Sequence, residues 1–292
     1  MSRKSVCSIL LVLTCWALFV VPASAQHFQQ VKGTLASVSA GRNEVFGLDA
    51  VSGVWRFNAK TLSFAKIKNA SLVQVAVGGG TLSQLDEVWG INTAGQTFRF
   101  NYTTKTFDSI VGTLSQLAVG VGNQDNCHPY EVCGVNSGGT VFRFNYCTNA
   151  FVATSGSLTQ VATGGGDVWG FNNSGNIFHF SFATQTFGQV GGGFIQITVG
   201  VNDVWGLNPN INAFRYDPAT GDFNISQGFV HQIAAGGDGV WLLDTSDNIW
   251  RFDSSKEAFV EVTGTFKNIA VGSGAGVWGV TSSGAVFTFV RP

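Results

Sequence analysis

Asp167-Val168-Trp169-Gly170-Phe171-Asn172-Asn173-Ser174-Gly175-Asn176-Ile177-Phe178-His179-Phe180 is one copy of a phrase that occurs seven times in this chain of 292 residues. Its first half recurs as Val45-Phe46-Gly47, Val88-Trp89-Gly90, Val132-Cys133-Gly134, Val204-Trp205-Gly206, Val240-Trp241-Leu242 and Val277-Trp278-Gly279. Its second half recurs as Trp55-Arg56-Phe57, Phe98-Arg99-Phe100, Phe142-Arg143-Phe144, Phe214-Arg215-Tyr216, Trp250-Arg251-Phe252 and Phe287-Thr288-Phe289. A fixed period of about 36 to 44 residues marks a repeat architecture.

Each copy reads as four short strands separated by turn residues. In the fourth they are Leu158 to Thr163, Val168 to Phe171, Ile177 to Phe180 and Phe187 to Val190. Asn172-Asn173-Ser174-Gly175 and Ala183-Thr184-Gln185-Thr186 supply the tight turns. No stretch after the first 25 residues sustains a 3.6-residue apolar period, so helical solenoids are excluded. Four strands per repeat give an all-β fold, a seven-bladed β-propeller. The last repeat runs out after its third strand, while Phe28-Gln29-Gln30-Val31-Lys32-Gly33 resembles a fourth strand such as Phe107 to Gly112. The N-terminal strand is therefore expected to complete the last blade and close the ring.

Arg3, Lys4, an apolar stretch from Ile9 to Val21 and Ala23-Ser24-Ala25 read as an export signal over residues 1–25, leaving 26–292 as one propeller domain. The expected location is extracellular or periplasmic, and no later segment is long and apolar enough to span a membrane. Removing the leader takes away Arg3 and Lys4 and no acid, moving the formal net charge from −1 to −3. That balance speaks against nucleic acid as a partner. Charged residues make up 11% of the chain, less than half of the usual share of about 25%.

Three cysteines follow the leader, all in the third repeat. Carrying the hairpin ladder outward from Asn136-Ser137-Gly138-Gly139 brings Cys127 beside Cys147, and in an exported chain this favours a Cys127–Cys147 disulfide. Cys133, in the place of a tryptophan, is then left over as a small buried hydrophobe. Cys127 with Cys133 is the rival pairing.

If the turn after the second strand has four residues, Trp89 stands opposite Phe98, and Ile91 and Phe100 share that aromatic face. Val88, Gly90, Thr97 and Arg99 then point the other way. On this reading the glycine makes room for the neighbouring blade's indole. Arg56, Arg99, Arg143, Arg215 and Arg251 occupy one repeat position, with His179 there in the fourth copy and Thr288 in the seventh. An acid precedes the tripeptide in five copies, as Glu44, Glu87, Glu131, Asp167 and Asp203. An arginine is expected to pair with the acid of the adjacent blade and stack on its tryptophan, as an architectural tie. The other role for the same ring is to grip sugar hydroxyls, carboxylates or phosphates beside an aromatic plane. Trp89, Trp169, Trp205, Trp241 and Trp278 are read first as core between blades and second as open-edged platforms for a ligand.

The pattern from Gln160-Val161-Ala162 through Val168-Trp169-Gly170 to Ser174-Gly175-Asn176-Ile177-Phe178 resembles the tectonin repeat of tectonin and tachylectin-type lectins, and the likeness covers nearly the whole chain after the leader. The resemblance implies a propeller that binds glycans, such as lipopolysaccharide or O-methylated sugars, at repeated sites. The candidate contacts are Arg56, Arg99, Arg143, His179, Arg215, Arg251 and the five tryptophans. Family members often have six units; this chain has seven, with Phe46 and Cys133 for tryptophan and Leu242 for glycine.

No enzyme is expected, no cofactor and no metal. His27, His128, His179 and His231 fall in four unrelated contexts, and Gly78-Gly79-Gly80 and Gly164-Gly165-Gly166 end strands instead of opening helices. Asp217 to Asp222 and Asp244 to Asp247 read as turns. Asn69-Ala70-Ser71, Asn101-Tyr102-Thr103, Asn172-Asn173-Ser174 and Asn224-Ile225-Ser226 match the glycan-acceptor sequon, which matters in a host that glycosylates. Beside a lectin stands a protein-binding scaffold, whose docking surface is formed by the inserts of the second and third copies, Thr81 to Glu87 and Asn123 to Glu131.

Overall fold

The Val-Trp-Gly and aromatic triplets form the second and third strands of antiparallel sheets in a computed structural model of the chain, which describes residues 26–122 and 125–290. The leader read over 1–25 lies outside these residues, as do Asn123 and Gln124 of the third-copy insert. There are 28 described strands, in five sheets of four and one of eight. The larger sheet joins the first and last units through a single parallel pair, Lys32 with Ser63. Among the described residues no helix is long and apolar enough to cross a membrane.

The innermost strand of each unit touches the next in a cycle. The order is Ser37–Ala40, Gln74–Gly78, Gln116–Val121, Gln160–Gly164, Gln196–Val199, Val230–Gly236 and Asn268–Val271, and the last touches the first. The N-terminal strand His27–Thr34 pairs antiparallel with Ala285–Val290, the third strand of the last unit. Phe28 seals that join edge-on against Trp241 and Phe266, with centroids 5.7 and 4.8 Å away.

Adjacent inner strands are tied by side-chain amides that mimic a peptide unit. Gln74 Nε2 donates to the Leu117 carbonyl at 2.8 Å and its Oε1 accepts from Leu117 N at 3.0 Å. Gln116 does the same with Val161, Gln196 with Ile233, and Gln232 with Ile269. A glutamine here satisfies backbone groups that face a neighbouring sheet instead of a ladder partner.

The strand register differs from the expectation by one residue. Trp89 stands opposite Arg99, Gly90 opposite Phe98 and Ile91 opposite Thr97, and the same offset holds in every unit. The cause is the turn. Asn92 N donates to Gln96 O and Gly95 N to Asn92 O, while Asn92 Oδ1 accepts from Ala94 N and Gln96 N. The loop is thus three residues long, closed by an Asx turn, with its last residue left-handed: Gly95 has φ 78°. Asn92 belongs to the ladder, so every side chain beyond it changes face.

Glu87, Trp89, Ile91, Thr97 and Arg99 therefore share one face, and Val88, Gly90, Phe98 and Phe100 the other. The first face of each unit packs on the second face of the next, as where Trp89 and Ile91 meet Val132 and Phe144 of unit three. Burying each large aromatic there contributes roughly 1.5–3 kcal/mol. The glycine does not make room for the neighbour's indole as expected. A Cβ on Gly90 would lie 2.3 Å from Leu72 Cδ1, on the segment entering the same unit. The exception is compensated: where Leu242 replaces the glycine, the entering residue shrinks to Val230, and both are buried in one cluster.

Candidate functional site

Because the register puts acid and cation on one face, the ion pair forms within a unit instead of between neighbours, twelve residues apart. Arg56 pairs with Glu44, Arg99 with Glu87, Arg143 with Glu131, His179 with Asp167 and Arg215 with Asp203. The arginine–glutamate pairs are two-pronged: Arg99 Nε and Nη2 donate to Glu87 Oε2 and Oε1 at 2.8 and 2.6 Å. Burial acts against the charge on Arg99 and Arg143, but bonding to the glutamate outweighs it and leaves both guanidinium groups above their ordinary pKa.

The neighbouring unit supplies the aromatic lid. Arg56 lies 5.4 and 5.5 Å from the ring centroids of Phe100 and Tyr102, Arg99 is 5.1 Å from Tyr146, and Arg215 is 5.2 Å from Phe252. Arg143 lies between Phe180 and Phe182 at 4.9 and 5.2 Å. His179 stacks flat on its own Trp169, centroids 4.2 Å apart. In units one, two, three and five the seam is thus a carboxylate and a cation of one unit under a ring of the next.

The seams open to different degrees. That of unit three is closed, with the side chains of Arg143 and Glu131 only 4% and 0% exposed. Unit five's is a notch of about 520 Å³ lined by Asp203, Arg215, Tyr216, Asn224, Phe252 and Glu257. Unit two's is a notch of about 400 Å³ lined by Glu87, Arg99, Tyr102, Asp108 and Asn149. Both mix a ring face with carboxylate, guanidinium and amide groups, the chemistry that grips hydroxyl-rich molecules.

The tectonin domain, as a sequence family, matches residues 18–186, 83–229 and 193–291 in overlapping segments. The chain belongs to the tectonin family. Its similarity to solved structures lies in the fold. Human WBSCR16 superposes with a TM-score of 0.65 at 12% identity, over 90% of this chain and 88% of that one. The β-propeller domain of Myceliophteria thermophila Cps50 (Swd1) gives 0.68 at 7%, over 91% and 100%. PorZ of Porphyromonas gingivalis gives 0.64 at 8%, over 91% of this chain and 39% of its own. No curated protein sequence matches the chain. At such identities the likeness defines architecture and leaves function to the site.

Across the tectonin units, Trp89, Trp169, Trp205 and Trp241 are fully buried and Trp278 nearly so, so their rings are core and offer no sugar platform. The rings at the seam mouths are instead Tyr102, Tyr146, Phe182, Tyr216 and Phe252, contributed by the following unit. Burial lifts the Tyr102 and Tyr146 phenols well above their ordinary pKa, so both stay neutral. A second group went unrecognised in the sequence, the left-handed residue before the outer strand of each of the first six units: Leu62, Lys105, Asn149, Gln185, Gly221 and Glu257. Three of these positions face the preceding unit's cation. Gln185 accepts from Arg143 at 3.0 Å, Glu257 from Arg215 at 2.9 Å, and Asn149 lines the Arg99 notch. These residues differ in charge and size, so the seams differ in what lines them.

Cys127 and Cys147 form a disulfide, and Cys133 is free and buried. Burial pushes the Cys133 thiol well above its ordinary pKa, and it donates to Glu131 Oε1 at 3.0 Å where other units place an indole. Asp244 closes a three-residue hairpin loop, and among the described residues no cluster of His, Cys, Asp and Glu could hold a metal.

Proposed function

We propose that this chain is a secreted, seven-bladed tectonin lectin that binds microbial or surface glycans multivalently at its inter-unit seams. The observation that carries the reading is the repeated pairing of an anchored guanidinium with the next unit's ring, opening into notches beside Arg99 and Arg215. In unit two the carboxylate of Glu87 holds Arg99 in place and leaves its Nη1 edge for an incoming hydroxyl, whereas in unit five Glu257 shares the corresponding edge of Arg215 and offers its own carboxylate oxygens to a hydroxyl. Lipopolysaccharide and O-methylated sugars are the leading ligand classes. Several weak sites on one rigid ring raise avidity by about 10²–10⁴ when a glycan array matches their spacing. A glycan array probed with residues 26–292 tests this: specific hits support the lectin, and no binding above an unrelated propeller removes it.

A protein-docking role has its own observation. Buried Asp86 accepts hydrogen bonds from the backbone N–H groups of Gly80, Arg42, Asn43 and Glu44, fixing the unit-two insert, while Leu82 stands 93% exposed at its tip. Tyr130 of the adjoining insert donates to the Leu85 carbonyl at 3.1 Å, so the two inserts touch there. Replacing residues 81–85 with a short polar turn would abolish capture of a protein partner and leave glycan binding intact.

A further inference from the structure

In units two and four, two donors converge on one carboxylate. Trp89 Nε1 and Arg99 Nε reach Glu87 Oε2 at 2.9 and 2.8 Å. Trp169 Nε1 and His179 Nε2 reach the two oxygens of Asp167 at 2.8 and 2.6 Å. In unit six the donors remain and the carboxylate is gone. Arg251 stands opposite Trp241, with its guanidinium 5.8 Å from the ring centroid, but the residue twelve places earlier is Gly239.

Unit seven shows what loss of the tie looks like when nothing is retained. There the acid and the cation disappear together, as Gly276 and Thr288, and Trp278 Nε1 turns to the Ala275 carbonyl at 2.7 Å. In unit six only the acid is lost. Trp241 Nε1 reaches the Asp238 carbonyl at 3.4 Å, a long contact for an indole donor. Arg251 uses Nη1 on Gln26 Oε1 at 3.2 Å, and its Nε and Nη2 have no acceptor among the described residues. Apart from its two chain neighbours, a Cβ built on Gly239 would meet only Trp241 Nε1, at 3.7 Å, so no other side chain fills the position of the lost acid next to the backbone. Asp238, beside it, turns its carboxylate to Gly276 N at 3.0 Å. Arg251 also lines a surface notch of about 420 Å³ with Gln26, Phe252, Ser254, Asp253 and Glu261. Asp253 is held by its own turn through Ser255 and Lys256, and Glu261 makes no ion pair with Arg251.

We propose that the seam of unit six binds a carboxylate-bearing sugar of the uronic acid class, the ligand's carboxylate taking the place that Glu87 occupies in unit two. This rests on the glycan-binding reading above and separates one seam from the rest. A guanidinium whose two-pronged edge is free, beside an indole N–H, matches a planar carboxylate. The seams with their own acid repel that group and favour neutral sugars.

The test is a titration of ¹⁵N-tryptophan-labelled residues 26–292 with sodium glucuronate, glucose and sodium sulfate, following the indole N–H signals and assigning Trp241 from Trp241→Phe. Glucuronate is expected to shift the Trp241 signal, with glucose and sulfate having little effect. Arg251→Gln is expected to weaken glucuronate binding at least about tenfold, since it removes the two-pronged charge-assisted grip and even one such hydrogen bond is worth about that much, while the other indole signals stay in place as evidence of an intact fold. No shift with glucuronate, an equal shift with sulfate, or unchanged affinity in Arg251→Gln overturns the proposal. If neutral glycans bind an array and glucuronate does not move Trp241, this inference alone falls. If glucuronate titrates Trp241 while the array stays blank, the site stands and the wider lectin reading falls.

Discussion

Arg143 grips Glu131 through two hydrogen bonds of 2.7 Å, Nε to Oε1 and Nη2 to Oε2, in the one seam that excludes solvent from both side chains. Its Nη1 is taken by Gln185 of the next unit, so no edge is left for a ligand. This seam is architecture. Arg143→Ala strands a buried carboxylate and is expected to cost about 3–5 kcal/mol. Chemical denaturation measures the loss, and array avidity should be nearly unchanged in the folded variant. The same substitution at Arg99, a third exposed beside an open notch, is expected to cost less stability and more binding.

The Leu242 and Val230 pair is expected to behave as one unit of volume. Leu242→Gly empties a buried site and should cost about 3–5 kcal/mol. Val230→Leu alone overpacks the cluster and should cost about 1–3 kcal/mol. Together they recreate the Gly90 and Leu72 arrangement of unit two, and the double variant should recover at least about 1 kcal/mol relative to the sum of the single losses. Additive losses in a double-mutant cycle would mean that the two sites do not share their space.

Ring closure predicts the effect of removing residues 26–33. The deletion exposes the edge of Ala285–Val290 and uncovers Trp241 and Phe266, which Phe28 caps. Melting should fall by several degrees, at about 2–4 °C per kcal/mol for a chain of this size. An unchanged Tm would show the strand to be dispensable.

Cys133 gives stability a pH dependence. Burial raises its pKa in the folded state, so the neutral thiol is favoured there over the unfolded chain. Its contribution is complete below the unfolded thiol pKa of about 8.5 and is lost as pH rises above it toward the folded value. Denaturation midpoints should fall between pH 8 and 10 in the parent more than in Cys133→Ala, and a thiol reagent should modify native Cys133 only as fast as the chain unfolds.

The seven copies, their four strands and the role of Phe28 to Val31 in the last sheet were legible because tripeptide spacing and turn residues carry them directly. The facing of side chains was not. It hinges on whether Asn92 lies in the turn or in the ladder, and only its side-chain hydrogen bonds to Ala94 and Gln96 decide that. One residue of register moved Arg99 from the neighbour's acid to Glu87 of its own unit. Asn149, Gln185 and Glu257, which line the seams of the preceding units, share a backbone conformation but no chemistry, so composition gave no signal for them. The glutamines of the inner strands did recur in sequence, yet their link to the neighbouring strand appears only once two units are side by side.

The central claim is that the open seams act together as sugar sites. The most direct measurement is the dissociation rate of residues 26–292 from a surface carrying the strongest array glycan, compared with an Arg99→Ala, Arg215→Ala double variant whose fold is verified by its melting curve. The account predicts that removing two open seams speeds dissociation at least about tenfold, since avidity multiplies across sites. Equal dissociation from the same surface by a fully folded double variant would contradict it.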